Sequence, residues 1–253
     1  MGAGMKLVEA IWEKRNLGVD CLELHCEAHD AAEAVLAALP LSVSYQVVRV
    51  PAKRVDLLLA VQERGYRLIE MGIDLERRLA DFEMPAIYKR FEKNMAFRQA
   101  TGADVERTLE IIETGRMFTT DRIALDPFFS SRQAGHRYAC WIRDLLQQGG
   151  ALHVAAYNGR DVAFGVAIER RTGVWEASLG GVFPEPETNG LGFASVYLNT
   201  AVPRQQGGTR VVTRVSSNNP PIFRLHLLFG YEPTNLEYVL IRHAGAGRRV
   251  SEP

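Results

Sequence analysis

The chain has 253 residues, 47% of them hydrophobic and 24% charged. This ordinary globular composition excludes a disordered or fibrous polypeptide, and the length exceeds a usual domain of about 100 to 150 residues, so one large or two modest domains are expected. Thirty basic residues balance thirty acidic ones, so no global field draws the protein to nucleic acid or to anionic lipid. The start carries no signal-like apolar run, and nowhere do about 18 apolar residues follow one another as a membrane span requires. The expectation is a cytoplasmic protein without a nucleic-acid or membrane partner. The basic stretch "AGAGRRV" near the C-terminus reads as a solvated tail.

Taken in chain order, residues 1–80 read as a small α/β unit. Residues 21–27 alternate as a strand; the alanine-rich "DAAEAVLAAL" reads as a helix capped by Asp30 and stopped by Pro40. "SVSYQVVRV" reads as a strand, "AKRVDLLLAVQERG" as a helix closed by Gly65, and "YRLIEMGIDLER" as a strand. The three cysteines of the chain fit free thiols in a reducing compartment. Cys21, His25, Cys26 and His29 lie close in sequence, but strand alternation puts Cys21 and Cys26 on opposite faces, so convergence on one metal ion is not expected.

Residues 81–93 read as a linker or partly helical bridge, and a second unit spans 94–253. It opens with the strand "NMAFRQAT" and the amphipathic helix "GADVERTLEIIETG". About twenty residues without periodicity follow, 116–135, before "HRYACWIRDLLQQG" resumes a helix. Loops of that length inside compact domains are usually functional. Three strands succeed one another, "ALHVAAY", "DVAFGVAIER" and "VWEASLGGVF", joined by turns. A glycine loop then leads into the helix "FASVYLNTAV", the strand "TRVVTRVS", the short helix "PPIFRLHLLFG" and the strand "EYVLIRH".

The loop "PEPETNGLG" running straight into a helix has the makings of an anion site. The first N–H groups of a helix lack intrahelical acceptors, the peptide dipoles favour negative charge there, and glycine lets a phosphate approach. Gly190, Leu191, Gly192, Phe193 and Ala194 are the candidate donors. A dinucleotide fingerprint is excluded because Ser195 stands at the third glycine position and an antiparallel meander precedes the loop; a Walker loop lacks its lysine.

The order of elements, the window "ETNGLG" and the segment "NNPPIFRLHLLFGYEP" together resemble the GNAT acyltransferase superfamily. Within it the chain is similar to sugar-nucleotide amine acyltransferases of the TDP-fucosamine acetyltransferase type, in "WEKRNLGVD", "DRIALDPFF" and "YACWIRD" as well. The resemblance implies an α/β (α+β) fold, with a GNAT domain of mixed, largely antiparallel sheet beside a smaller N-terminal α/β domain. It implies acetyl-CoA or another acyl-CoA as co-substrate, no metal, and direct attack by the amine of a nucleotide-linked amino-deoxy sugar, with a homodimer left open. By the same resemblance Gly181, Val182 and Phe183 bind the thioester oxygen, and Asn219 belongs to the coenzyme site. His226 stands where the family often has the tyrosine that protonates the leaving thiolate. Glu187 departs from the family's Gln or Arg and sets a carboxylate near the expected pyrophosphate.

For a base, Glu169, Glu176 and His153 lie on candidate strands facing the cleft, and a water chain is the alternative. Arg122, Asp126, Phe128 and Phe129 fall in the long loop where the superfamily shapes its acceptor pocket; a hydrophobic plug between the units explains the phenylalanines equally well. Two other readings stand beside the sugar: acetylation of another small amine, peptide or antibiotic, and a non-catalytic acyl-CoA-binding module.

Overall fold

The computed structural model describes residues 4–39 and 42–244. Pro40 and the tail from 245 onward lie outside them. Ten strands form one sheet: β1 (Lys6–Glu9), β2 (Cys21–His25), β3 (Tyr45–Pro51), β4 (Arg67–Arg78), β5 (Met95–Gln99), β6 (Ala151–Tyr157), β7 (Arg160–Arg171), β8 (Val174–Val182), β9 (Arg210–Ser216) and β10 (Glu232–His243). Their spatial order is β1-β2-β3-β10-β4-β9-β8-β7-β6-β5. Among the described residues only β2 with β3 and β8 with β9 pair in parallel, so the mixed, largely antiparallel sheet expected from the sequence is the one found.

Residues 81–93 do not interrupt this sheet. β10 enters between β3 and β4, antiparallel to both, and β4 pairs in turn with β9. The strands of the first eighty residues and those of the rest are therefore hydrogen-bonded into one surface. Residues 81–93 form a partly helical strap. Phe82 and Met84 are buried, and Tyr88 stacks on Phe193 with ring centroids 4.3 Å apart. Beneath the strap lies α7 (Phe193–Gln205), buried at every position from Phe193 to Pro203. A helix covered on both sides has no solvated charged stripe, and "FASVYLNTAV" accordingly carries no charged residue.

On the other face, α5 (Gly102–Glu113) and α6 (Ser131–Gln147) pack together. Each begins with a reciprocal cap, Thr101 with Asp104 and Ser130 with Gln133, which satisfies two otherwise orphaned donors. α6 thus starts well before the residue 136 expected from apolar periodicity, and the aperiodic stretch is shorter. Gly135 explains the missing signal: a Cβ there would stand 2.4 Å from the carbonyl oxygen of Ile112, so this turn contacts α5 through backbone, and its apolar Ala134 packs into a different cluster. In the N-terminal part, α1 (Ile11–Leu17), α2 (Ala32–Ala38) and α3 (Val55–Glu63) join the strands. Asp30 does not cap α2; its carboxylate takes the N–H groups of Met5 and Glu27 instead. Cys21 and Cys26 are buried in separate clusters, burial pushes both thiols up to about 12, and no His/Cys/Asp/Glu group suited to a metal occurs among the described residues.

Candidate active site

β8 and β9 pair at three positions, Val174 with Arg210, Trp175 with Val211 and Glu176 with Val212. One further bond, Thr213 Oγ1 to the carbonyl of Ala177 at 2.7 Å, extends the contact; beyond it the strands part. A bulge at Ser178 bends β8 here, because Ala167 pairs with Ala177 and Val166 with Leu179. A cavity of about 260 Å³ fills the gap, lined by Gly180 of β8, Ser195 and Asn199 of α7, His226 of α8 (Pro220–Leu228), Glu70 of β4, and Tyr138 and Trp141 of α6.

Asn199 holds the parted strand in place. Gly165 and Gly180 are register partners on β7 and β8, and a Cβ at either would stand 2.0 Å or 2.8 Å from the Asn199 amide. The amide seats in this notch and donates from Nδ2 to the carbonyl of Leu179 at 3.0 Å. The orientation of the β8 amides follows from one measured bond. Phe183 N–H donates to the carbonyl of Val162 at 3.0 Å, and N–H directions alternate along a strand. Gly181 and Phe183 therefore face β7 and are spent in the sheet, which corrects their assignment as thioester donors. Val182 and Gly180 face the gap. Gly180 was not among the residues expected from the sequence; the double glycine of "SLGGVF" was the available signal.

At the start of α7, whose Ser195 lines the cavity, Gly190 has φ +81°, a left-handed turn that favours glycine. Leu191 and Ala194 spend their N–H groups inside the turn, on the carbonyls of Thr188 and Leu191 at 2.9 and 2.8 Å, so they shape the cradle rather than supply donors to it. Gly190, Gly192 and Phe193 retain N–H groups without a protein acceptor among the described residues. Glu187 does not oppose an anion here, because its carboxylate turns to Arg160 at 3.5 Å. Asn219 caps α8 by accepting from Ile222 N–H at 3.3 Å, and it also lines the cavity.

His226 is buried, and its Nδ1 lies 2.8 Å from the carbonyl of Ile222. A carbonyl only accepts, so Nδ1 carries the hydrogen. Burial pushes the imidazole down to about 4, against the opposing pull of that bond. The ring is neutral at pH 7, with a lone pair and no proton at Nε2, so the expected role of thiolate acid is not available to it. Glu169 accepts from Gly173 N–H at 2.7 Å and closes the β7–β8 hairpin. Burial would raise the Glu176 carboxyl, but the Arg170 guanidinium at 2.8 Å and the Ser178 hydroxyl at 2.8 Å hold it below its ordinary value. Neither is a free base, and His153, also buried, does not line the cavity.

The base-like carboxylate is one the sequence reading passed over. Glu70 lines the cavity from β4 with its Oε2 buried and without a partner. Burial raises its pKa first and the Asp121 charge adds to that, while a hydrogen bond from Ser216 and the charges of Arg122 and Arg49 pull only partly the other way. Nothing in "YRLIEMGIDLER" separates this glutamate from a solvated strand residue, since its surroundings come from β9, β10 and the long loop.

That loop is largely structural. Arg122 is buried between Glu13 and Glu23, 2.7 Å from the latter, and donates to the Tyr45 hydroxyl. Asp126 accepts from His243 Nε2 at 2.7 Å. Phe128 stacks on His243 at 4.2 Å and Phe129 packs edge-on to Tyr45. Of the four residues expected to contact the acceptor, only Arg122 reaches the cavity wall; the two phenylalanines form the plug.

No protein-family model matches the chain, and no curated protein matches it in sequence. Solved structures do match its fold. A GCN5-related N-acetyltransferase from Sphaerobacter thermophilus superposes with a TM-score of 0.59 at 14% identity, over 98% of this chain and 79% of that one. Another from Kribbella flavida gives 0.53 at 15% identity, over 92% and 83%. A tandem GNAT protein from the clavulanic acid biosynthesis pathway gives 0.51 at 13% identity, over 91% and 77%. Identities this low speak to architecture alone, and at that level the chain has the fold of the GCN5-related N-acetyltransferases.

Proposed function

We propose that the protein is an N-acyltransferase that moves an acyl group from an acyl-coenzyme A to a small primary amine by direct attack. The observation that carries this reading is the cavity between β8 and β9, with unspent N–H groups on one strand and beside it the start of α7, where backbone N–H groups stand free. The Gly190, Gly192 and Phe193 amides would hold the pyrophosphate at the start of α7. The thioester would lie along the open edge of β8, where Gly180 and Val182 N–H groups meet the developing oxyanion; one such donor is worth roughly 10²-fold or more in rate.

Glu70 takes the proton of the attacking ammonium, since a desolvated carboxylate with a raised pKa stands nearer the working pH than a solvated one. The thiolate leaves without a side-chain acid: an alkyl thiol of pKa about 8.5 is a good enough leaving group to take its proton from water. The nucleotide-linked amino sugar implied by the resemblance needs a cation for its diphosphate. Arg122, the residue expected to meet it, is committed to Glu13 and Glu23, so that substrate draws no support from this site.

Thiol release from acetyl-coenzyme A with a panel of amines, a nucleotide-linked amino sugar among them, tests the proposal. Release with at least one amine is expected. Tight coenzyme binding without release for any amine would replace the enzyme by a binding module.

A further inference from the structure

Four guanidinium groups reach the lining of the cavity, those of Arg49, Arg122, Arg137 and Arg214, against two carboxylates, Glu70 and Asp121. Three of the four have both terminal nitrogens engaged. Arg122 donates from Nη1 to the Tyr45 hydroxyl and from Nη2 to Glu13 and Glu23. Arg137 gives Nη2 to Glu13 at 3.0 Å and sets Nη1 3.5 Å from Asp121. Arg214 gives Nη1 to Asp74 at 3.0 Å and Nη2 to Glu237 at 2.7 Å. Arg49 differs from these. It donates from Nε to Glu23 at 3.3 Å, and among the described residues neither of its Nη groups has a hydrogen-bond partner. The stem of this guanidinium is fixed and the end of its fork is open.

The open fork stands one strand away from Glu70. Val239 of β10 is the register partner of Arg49 on β3 and of Glu70 on β4, and directly opposed residues of an antiparallel pair share a face. The three side chains therefore form one row, with the Cα atoms of Arg49 and Glu70 two strand spacings apart, about 9.5 Å. They do not pair with each other across it: Glu70 Oε2 has no partner. Val239 between them is buried and apolar and satisfies neither. Two free donors at one end of the row and an unpartnered carboxylate at the other complement a molecule with an acidic end and an amine. One guanidinium fork matches one carboxylate. A diphosphate presents more charged oxygens than a single fork can meet, and the neighbouring guanidinium groups are already committed.

We infer that the acceptor is an amino acid, whose carboxylate is held by the Nη groups of Arg49 while its amine is presented to Glu70. Arg49 is then a specificity-determining residue, contributed by a strand far in sequence from β8 and α7. The inference rests on the acyl-transfer reading for its assignment of the cavity to the acceptor, but carboxylate recognition can be read by binding as well as by turnover.

The test compares glycine, the common L-α-amino acids and ω-amino acids of three to five carbons, each with its carboxamide, which keeps the amine and the size but loses the charge. Thiol release from acetyl-coenzyme A and calorimetric binding to the coenzyme-bound protein are measured for each at low salt. For at least one acid the expected advantage over its amide is about 10- to 100-fold in affinity and in kcat/KM, the span given by hydrogen bonds to a charged group, narrowing as salt rises. Arg49→Gln should bring that ratio to within about twofold. Arg49→Lys keeps a charge beside Glu23 but loses the fork; it should cut the ratio several-fold and decides the matter if the Gln variant does not fold, with Tm measured on both. Absence of any acid preferred over its amide, or a preference that both variants leave intact, overturns the inference, and thiol release in that case leaves the acyl-transfer reading standing. An acid preference that the variants remove, seen in binding without thiol release, upholds the inference and overturns the acyltransferase reading.

Discussion

Replacement of Glu70 by Gln separates a catalytic role from a structural one, because the two predict opposite signs for activity and stability. The raised pKa means that the folded state holds a proton here more tightly than the unfolded chain. As pH rises through that interval the folded state loses relative stability, and at pH 7 it bears the cost of a buried carboxylate whose Oε2 has no partner. Gln keeps the shape and removes the charge. An unsatisfied buried group costs about 1 to 3 kcal/mol, so E70Q should be more stable by about 1 kcal/mol, or about 2 to 4 °C in Tm for a chain of this size. Activity should move the other way: loss of a general base lowers kcat by roughly 10² to 10⁴-fold, at least about 2.7 kcal/mol of barrier. The assay is thiol release at saturating acyl-coenzyme A across pH 5.5 to 9, with Tm measured on the same samples. Wild-type kcat/KM should show an acid limb above the ordinary carboxylate range, and E70Q should lack it. A variant with near wild-type turnover, or one that loses activity only in step with lost stability, would refute the role.

Three further outcomes follow from measured contacts. Gly165→Ala places a Cβ 2.0 Å from the Asn199 amide oxygen and should destabilise by about 1 to 3 kcal/mol, whereas Gly102→Ala, with open space around it, should stay within about 0.5 kcal/mol; urea unfolding compares them. His226 has a folded pKa near 4 and an ordinary unfolded value, so the unfolded chain binds more protons between the two. Stability therefore falls as pH drops from 7.5 to 5, by about 2 kcal/mol from this residue, and His226→Phe should lose that part of the pH dependence in parallel denaturant titrations. Arg122→Met removes one of two guanidinium partners from each of Glu13 and Glu23, which keep Arg137 and Arg49, and should cost about 3 kcal/mol, read as a Tm drop of about 6 °C or more; adding Glu13→Gln should restore part of it, and no recovery would contradict a direct charge effect.

Local signals made the second half of the chain legible. Turn glycines, alternating strands and the glycine loop before α7 set the element order from β5 to β10, and the fold class followed from that order. What stayed hidden depended on partners far away in sequence. Strand direction cannot be read from "SLGGVF", so Gly181 and Phe183 were taken for donors when Gly180 and Val182 face the gap. His226 was legible as a polar residue on an apolar helix, but its tautomer is set by the Ile222 carbonyl and its neutrality by burial. Arg122 and Asp126 look like ligands because charged residues in a long loop are usually exposed; their buried partners are Glu13, Glu23 and His243.

The interleaving of β4 and β10 explains why the base-like group was the hardest to see. A strand parting of this kind needs a firm outer neighbour for β9, or the gap would close by β9 sliding back onto β8. β4 supplies it, pairing with β9 from Gly72 to Arg78 while β10 grips its other edge. The same placement carries Glu70, two residues before that ladder begins, to the open end of the gap, where Ser216 of β9 ends its pairing with Gly72. The N-terminal residues thus act on the site in two ways that share one cause: the strand that holds the gap open is the strand that brings a carboxylate into it. A chain read as two separate units would assign the first to stability and miss the second.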